Sequence, residues 1–180
     1  LLPKSSADVP WPENIEVVDL RGDLPYGDGT FDAVYSSHFL EHLYRDDALR
    51  ILKECVRVLK PGAACRAAVP DIRYQIDEYI ENTKKADGGE DLDPARQINS
   101  SLMLRGERPP RGSLPLRMYR AVNDFHSHKH MYAERSLCKL FEEAGFERCS
   151  RRGLHESSIP HIDLVEAENR VHGGGLVVEG

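Results

Sequence analysis

The stretch that decides the fold runs from residue 31 to residue 70 and begins FDAVYSSHFLEHL (residues 31–43). An apolar run is followed by a polar turn, an amphipathic segment, a Lys-Pro-Gly stop signal and a run of small apolar residues that ends in Val-Pro-Asp. Strands that alternate with helices of this length predict a parallel sheet. Ligands of open parallel sheets bind beyond the carboxyl ends of the strands. We therefore expect an α/β fold whose functional site lies at the polar turn, residues 36–43.

Hydrophobic periodicity predicts three helices, at residues 45–59, 72–83 and 132–144. Asp46 or Asp47 is expected to cap the first helix, Pro61-Gly62 to end it, and Gly145 to end the third. Small residues in the strand after the first helix suit a sheet centre that is covered on both faces. The predicted strands are residues 15–18, 31–36, 63–69, and a closing pair near residues 147–153 and 176–179.

Composition narrows the class of protein. The chain has 180 residues with 40% apolar and 30% charged residues, which predicts a single domain, residues 1–180. The net charge of −6 and the dispersed basic residues disfavour a nucleic-acid partner. No apolar run is long enough to predict a membrane span, and residues 1–14 lack the order of a signal peptide. The four scattered cysteines indicate reduced thiols, so we expect a cytoplasmic protein.

Residues 84–116 break the alternation of strands and helices. They are polar and contain the runs KKADGGEDLDPARQ and RGERPPRGSLP, which show no period. A segment of this length without its own structure is usually functional or disordered. We interpret it either as a lid over the substrate side or as a disordered insertion. Four arginines in it could meet an anionic substrate or simply face solvent: Arg96, Arg105, Arg108 and Arg111.

The segment from the first strand to Val-Pro-Asp resembles the middle of a class I S-adenosylmethionine-dependent methyltransferase, of the small type-11-like subgroup. The resemblance implies a doubly wound, mostly parallel sheet with a C-terminal antiparallel hairpin. It also implies S-adenosylmethionine as the cofactor. Such domains open with a strand and a glycine-rich loop, and nothing before residue 15 resembles either, so we expect the first βαβ portion to be lacking. An omitted N-terminal segment, completion by another chain, and a relative that has lost cofactor binding all explain this, and the first is favoured.

The resemblance implies a cofactor site. Asp19 matches the acidic position of a D-x-x-x-x-LP-[FY] pattern, at which a carboxylate accepts a hydrogen bond from the adenine amino group. Leu20 and Leu24 would line the adenine pocket, while Ser37 and His38 would lie beside the methionyl part of the cofactor. Asp19 could instead only cap a turn, and Asp23 is a rival for the adenine contact.

The acceptor side is expected to hold the catalytic residues. A hydroxyl or amine acceptor must lose a proton, and a histidine of near-neutral pKa is a natural base. His42 is our candidate to face the acceptor, although Glu41 and His42 could merely cap and orient the next helix. His130 and Tyr132 belong to a run that resembles the H-K-x-x-Y segment of the family, which implies a place at the mouth of the site.

The run from His126 to His130 carries three alternate histidines, which an extended strand would place on one face. Zinc could use such a face, but no carboxylate or thiolate stands at ligand spacing, so polar lining of the acceptor side is favoured and no metal is assigned. A metal-dependent hydrolase at this run is the weakest reading. Gly173-Gly174-Gly175 leads into a strand and is interpreted as a turn rather than a phosphate loop.

The sequence therefore predicts methyl transfer from S-adenosylmethionine to the oxygen or nitrogen of a small-molecule or glycan acceptor. The alternative is a non-catalytic methyltransferase-like scaffold that binds a partner and has lost the cofactor. The identity of the acceptor and the oligomeric state are left open, a homo-oligomer included.

Overall fold

The structure of the chain is a computed structural model that describes residues 15–20, 22–103, 127–171 and 173–180. Helices cover a four-stranded sheet whose strands lie in the order β1-β2-β4-β3. The predicted α/β class is confirmed. Within the described ranges, no helix has the length and apolar character that crossing a membrane requires.

Strands β1 (Phe31–Ser37) and β2 (Leu59–Pro70) form the parallel pair of the sheet, with Val34 opposite Cys65. The helix between them makes this a βαβ unit. Ala67 and Ala68 of β2 are fully buried, as expected for a sheet centre. Strand β2 begins four residues earlier than predicted, directly after the helix. The irregular register between Phe31 and Ala33 absorbs the Pro-Gly pair inside the strand.

The C-terminal strands form the antiparallel hairpin that the resemblance implied. Strand β4 (Gly175–Glu179) lies between β2 and β3 (Ser150–Arg151) and is antiparallel to both. Its residues Leu176, Val177 and Val178 are buried. The order of strands therefore places the last segment of the chain inside the sheet.

Two amphipathic helices contribute many of the buried core residues. Helix α1 (Arg45–Val58) buries Ala48, Leu52 and Cys55 against the sheet. Its N-cap is Tyr44, with no side-chain capping bond, so Asp46 and Asp47 lie in the first turn instead, where they interact favourably with the helix dipole. It ends at the extended Leu59, before the predicted Pro-Gly stop.

Helix α4 (Glu134–Ala144) contributes Leu137, Leu140 and Phe141 to the same core. It begins two residues later than predicted because Ala133 is its N-cap, held by the Ser136 hydroxyl. Gly145 ends it with a φ of 115°, a left-handed conformation that favours glycine.

Residues 15–18 have no regular secondary structure and do not form the predicted strand, and Val17 is largely exposed. Helix α2 (Ile72–Asp87) continues past the predicted residue 83. A helix that the sequence did not predict, α3 (Pro94–Ser101), forms inside the segment read as irregular. Asp93 caps it by accepting a hydrogen bond from the backbone N–H of Arg96, and proline occupies its first turn.

Helix α3 packs on α2, and the side chain of Asn82 donates a hydrogen bond to that of Gln97. The rest of the predicted lid, residues 104–116, lies outside the described residues, as do residues 1–14. A short helix, α5 (Glu168–Val171), precedes β4. The glycine run before β4 is a turn, as predicted: Gly174 has a φ of +107°, and a side chain there would collide with Tyr74.

Candidate functional site

Two distant segments meet beyond the carboxyl ends of β1 and β2. The backbone N–H groups of Lys129 and His130 donate hydrogen bonds to the carbonyl oxygen of Glu41, at 2.7 and 3.1 Å. Tyr132 forms an isolated bridge with Asp71, the residue after β2. The fold therefore brings the turn after β1 together with residues 128–132, at the edge where the sequence predicted a site.

The turn after β1 has a strained backbone. His38 has a φ of 51°, which is uncommon for a residue other than glycine. Its N–H donates to the carbonyl of Ala68 in β2, at 2.8 Å. A short 3₁₀ helix, Leu40–His42, follows. Such strain is maintained by surrounding structure and is frequent at functional sites.

Glu41 is a buried carboxylate that the sequence analysis named only in the alternative in which Glu41 and His42 cap and orient the next helix. Its side chain is 0% exposed, and within the described chain neither carboxylate oxygen has a hydrogen-bond partner. His38 Nδ1 lies 3.3 Å and His42 Nε2 lies 3.8 Å from Glu41 Oε1. These distances are in ion-pair range, but the contacts lack hydrogen-bond geometry. Burying a carboxylate with so little compensation costs stability, so a functional reason for Glu41 is indicated.

His128 completes this cluster from the second segment. Its ring contacts that of His42 edge-on, with the centroids 5.0 Å apart. Burial lowers the pKa of His128, although the nearby carboxylate of Glu41 acts in the opposite direction. The imidazole of His128 is therefore neutral at pH 7. One ligand atom each from Glu41, His42 and His128 lies within 4.8 Å of the other two.

His130 and Tyr132 form a second ring pair, with centroids 4.7 Å apart. Tyr132 is 1% exposed, and burial raises the pKa of its phenol to about 12. Its hydroxyl has no hydrogen-bond partner among the residues whose positions are described. At neutral pH the Tyr132 hydroxyl therefore stays protonated and can donate a hydrogen bond, and the imidazole of His130 beside it is half-buried.

The alternate histidines of the 126–130 run do not act as one set. His126 lies outside the described residues. His128 contacts His42, while His130 contacts Tyr132. The possible metal ligand set is therefore different from the one that the sequence spacing suggested.

A cavity of about 340 Å³ lies beside the turn, along β1 and α1. Leu20, Leu24 and Ser37, three of the five predicted cofactor residues, line it. The Tyr35 hydroxyl and the Ser37 hydroxyl are buried there and have no hydrogen-bond partner in the described part of the chain. The remaining predicted cofactor residues, Asp19 and His38, are not part of the lining.

The loop that closes this cavity is held by α1. Glu54 accepts a hydrogen bond from the N–H of Leu24 at 2.8 Å, and Arg57 donates to the Leu24 carbonyl at 3.0 Å. Arg50 donates to the carbonyl of Leu20 at 2.8 Å. The Arg57 guanidinium and the Leu24 N–H lower the pKa of Glu54, in spite of an opposing effect of burial. The sequence analysis missed Arg50, Glu54 and Arg57. The feature that could have revealed them is a row of charged residues on the side of α1 opposite its apolar stripe.

A larger cavity, of about 720 Å³, lies at the opposite end of the sheet, around the start of β2 and the C-terminal Gly180. It contains none of the predicted site residues. The residues that carry acid-base chemistry converge instead at the carboxyl ends of β1 and β2, so we take that edge as the site.

Comparisons with known proteins show which family and which solved structures the chain is similar to. Residues 4–67 match the family model of the methyltransferase domain. Among solved structures, the chain is similar to a putative O-methyltransferase from Nostoc punctiforme (12% identity, TM-score 0.43, 87% of this chain and 32% of that one). It is also similar to a possible histamine N-methyltransferase from Thermotoga maritima (18% identity, TM-score 0.43, 88% and 59%).

A third similar structure is a complex from Haloferax volcanii between the Trm112 methyltransferase activator and the putative methyltransferase (15% identity, TM-score 0.46, 92% of this chain and 59% of that one). The chain thus spans between about a third and three fifths of the length of these relatives. The family match contains the turn residues Ser37, His38, Glu41 and His42. The match of residues 4–67 to the methyltransferase domain supports the resemblance that the sequence predicted.

Proposed function

We propose that the protein transfers a methyl group from S-adenosylmethionine to a hydroxyl or amine of a small-molecule or glycan acceptor. The observation that carries the proposal is the meeting of the turn at residues 37–42 with His130 and Tyr132, next to the cavity along β1. This arrangement places groups suited to a cofactor and groups suited to proton transfer at one edge of the sheet.

The cavity fits the cofactor. Its volume of about 340 Å³ is within the range of roughly 300–1,000 Å³ that small-molecule pockets occupy. Apolar side chains such as Leu20 and Leu24 would contact the adenine ring. The buried hydroxyls of Tyr35 and Ser37 offer donors and acceptors that the described part of the protein leaves unused. Asp19 is exposed at the end of the cavity loop and would accept from the adenine amino group, and His38 would lie at the methionyl end.

The acceptor side needs a base and a means of orientation. When bound, S-adenosylmethionine supplies an electrophilic methyl group on a sulfonium sulfur, which an acceptor oxygen or nitrogen takes in an in-line displacement. His42 or His130 would take the proton that the acceptor loses. The Tyr132 hydroxyl would donate a hydrogen bond that orients the acceptor. Positioning by these groups would supply a large part of the rate.

We also propose that residues 1–180 form a single domain and that residues 84–116 form a lid over the substrate side. The backbone of Leu102, the residue that follows α3, lies close to the imidazole of His128. The described end of the segment predicted as a lid therefore lies near the proposed acceptor side, which supports the proposal of a covering role. A cytoplasmic location and a homo-oligomer remain predictions.

The test is calorimetric titration of the full-length protein with S-adenosylmethionine and S-adenosylhomocysteine. We expect saturable binding of both. Asp19→Asn should weaken it by about two- to tenfold, because a single hydrogen bond contributes about 0.5–1.5 kcal/mol. Asp32→Asn is the matched control, since Asp32 is exposed and pairs with Lys60 on the surface.

The same titration separates the alternatives. A loss that follows Asp23→Asn instead of Asp19→Asn would transfer the adenine contact to Asp23. No binding of either compound by the intact protein would reject the enzyme and favour the non-catalytic scaffold.

A further inference from the structure

The Glu41 cluster, defined as Glu41, His42 and His128, has a composition that methyl transfer does not explain. A single histidine suffices as a base, yet the fold buries a carboxylate completely and surrounds it with imidazoles. The carboxylate oxygens of Glu41 and the Nδ1 atoms of His42 and His128 are buried and have no hydrogen-bond partner in the described ranges. We propose that Glu41, His42 and His128 bind a divalent transition-metal ion, for which Zn²⁺ is the best match.

The distances fit such an ion. Zinc bonds of about 2.0–2.2 Å to nitrogen and oxygen in tetrahedral geometry separate the ligand atoms by roughly 3.3–3.6 Å. The cluster offers one ligand atom per residue, all within 4.8 Å of one another, and the distance from His42 Nε2 to Glu41 Oε1 is 3.8 Å. Side-chain rotations that shorten these separations by up to about 1.5 Å would complete the coordination.

The donor types fit as well. Two imidazoles with one carboxylate form a known ligand set of zinc sites that keep an open position. Metals bind the neutral imidazole, and both histidines offer a ring nitrogen to the ion. The carboxylate would offset the charge of the ion, and the ion would satisfy the oxygens that are otherwise buried without hydrogen bonds.

Surrounding contacts hold these side chains in place. Two backbone N–H groups, of Lys129 and His130, donate hydrogen bonds to the Glu41 carbonyl. His38 Nδ1 lies 3.3 Å from Glu41 Oε1 and can orient the carboxylate. Outer contacts of this kind orient the ligands in established metal sites.

Metal binding would change which residue acts as the base, and this consequence rests on the proposed function. With His42 bound to a metal, His130 would be the remaining base of the acceptor side. Three protein ligands would leave a fourth position open for water. Metal binding is measured without S-adenosylmethionine, so its failure and the failure of methyl transfer can be told apart.

The experiment titrates Zn²⁺ into the metal-free, full-length protein in competition with a chromophoric chelator. We expect one equivalent to bind. His128→Asn should weaken binding by at least about 100-fold, because loss of a ligand should exceed the 10–100-fold cost of losing an outer partner. His161→Asn is the matched control: it removes an exposed histidine far from the cluster, and asparagine tolerates the left-handed φ of 57° at that position.

X-ray absorption of the wild-type zinc complex keeps the test independent of any variant that fails to fold. We expect nitrogen and oxygen neighbours at about 2.0–2.1 Å and scattering from imidazole rings. A sulfur shell near about 2.3 Å would assign the ion to cysteines and overturn the proposal. Absence of stoichiometric binding would also overturn it, as would equal binding by folded His128→Asn and wild-type protein.

Discussion

Two carboxylates of this protein are buried to the same degree but treated in opposite ways. Glu166 accepts hydrogen bonds from Arg66 at 2.8 and 2.7 Å and from the N–H of His155 at 2.8 Å. Glu41 is equally buried, and its carboxylate accepts no hydrogen bond from any residue in the described ranges. A buried charge is tolerated when it is paired and hydrogen-bonded. The first arrangement thus serves the fold, and the second leaves Glu41 prepared for a ligand.

Glu166 belongs to a network of hydrogen bonds and ion pairs around Arg66, which links the last third of the chain to the sheet. Arg66 is fully buried in β2, and it donates to the carbonyls of Gly153 and Glu156, both at 2.8 Å. Its guanidinium also lies 3.4 Å from a carboxylate oxygen of Glu179 in β4. All of these partners come from the last third of the chain. The network therefore determines where the loop after β3 lies.

The largest effect is expected from breaking this network. Arg66→Met should lower the free energy of unfolding by about 3–5 kcal/mol, because it leaves Glu166 buried without its cation. Arg73→Met is the control: it removes an exposed i,i+4 ion pair with Asp77 and should cost less than about 1 kcal/mol. Urea unfolding followed by circular dichroism measures both. Similar losses in the two variants would show that the network is not structural.

A matched pair of isosteric substitutions tests the comparison directly. In the metal-free protein, Glu166→Gln should destabilise by about 1–3 kcal/mol, because it weakens charged hydrogen bonds. Glu41→Gln should change stability by less than about 1 kcal/mol or stabilise, because it removes a buried charge that lacks hydrogen bonds. Urea unfolding of the two variants in the same buffer measures both changes in stability. The comparison fails if Glu41→Gln costs as much as Glu166→Gln.

Acidic pH should weaken the network of buried hydrogen bonds and ion pairs around Arg66. Burial opposes ionisation of Glu166, but hydrogen bonds from Arg66 and His155 outweigh it and lower the pKa below the ordinary 4.5. A carboxyl whose pKa is lower in the folded state contributes stability above its unfolded pKa and loses it as the pH falls through the folded value. We therefore expect the urea concentration at the unfolding midpoint to decrease as the pH falls below about 4.5. Arg66→Met should show a shallower decline over the same range.

The smallest effect on stability is expected at Tyr132. Its hydroxyl is buried and has no hydrogen-bond partner among the described residues, so Tyr132→Phe should change the free energy of unfolding by less than about 1 kcal/mol. If the hydroxyl orients the acceptor, the variant should lower methyl-transfer turnover while its S-adenosylmethionine affinity stays unchanged. Unfolding curves, calorimetry and turnover together test this. A large loss of stability would assign Tyr132 to the fold instead.

The sequence predicted the elements that have a strong apolar period or a clear punctuation signal. Helices α1 and α4, strand β1 and the closing hairpin all carry such patterns, and the turn after β1 was placed at the correct edge of the sheet. Helix α3 was missed because its start signal, Asp93 followed by proline, stands in a polar stretch with few apolar residues. Residues 15–18 were wrongly predicted as a strand, because an apolar run cannot show whether a neighbouring strand pairs with it.

The sequence by itself determined the fold class, the resemblance to methyltransferases and the place of the polar turn, because these follow from local periodicity and contiguous motifs. Only the tertiary structure decided which groups surround Glu41. His42 and His128 are far apart in the chain, and sequence spacing had grouped His128 with His126 and His130 instead. Their contact depends on the bonds between the Glu41 carbonyl and the 129–130 backbone. Such long-range hydrogen bonds and the burial they create leave no periodic signal in a sequence.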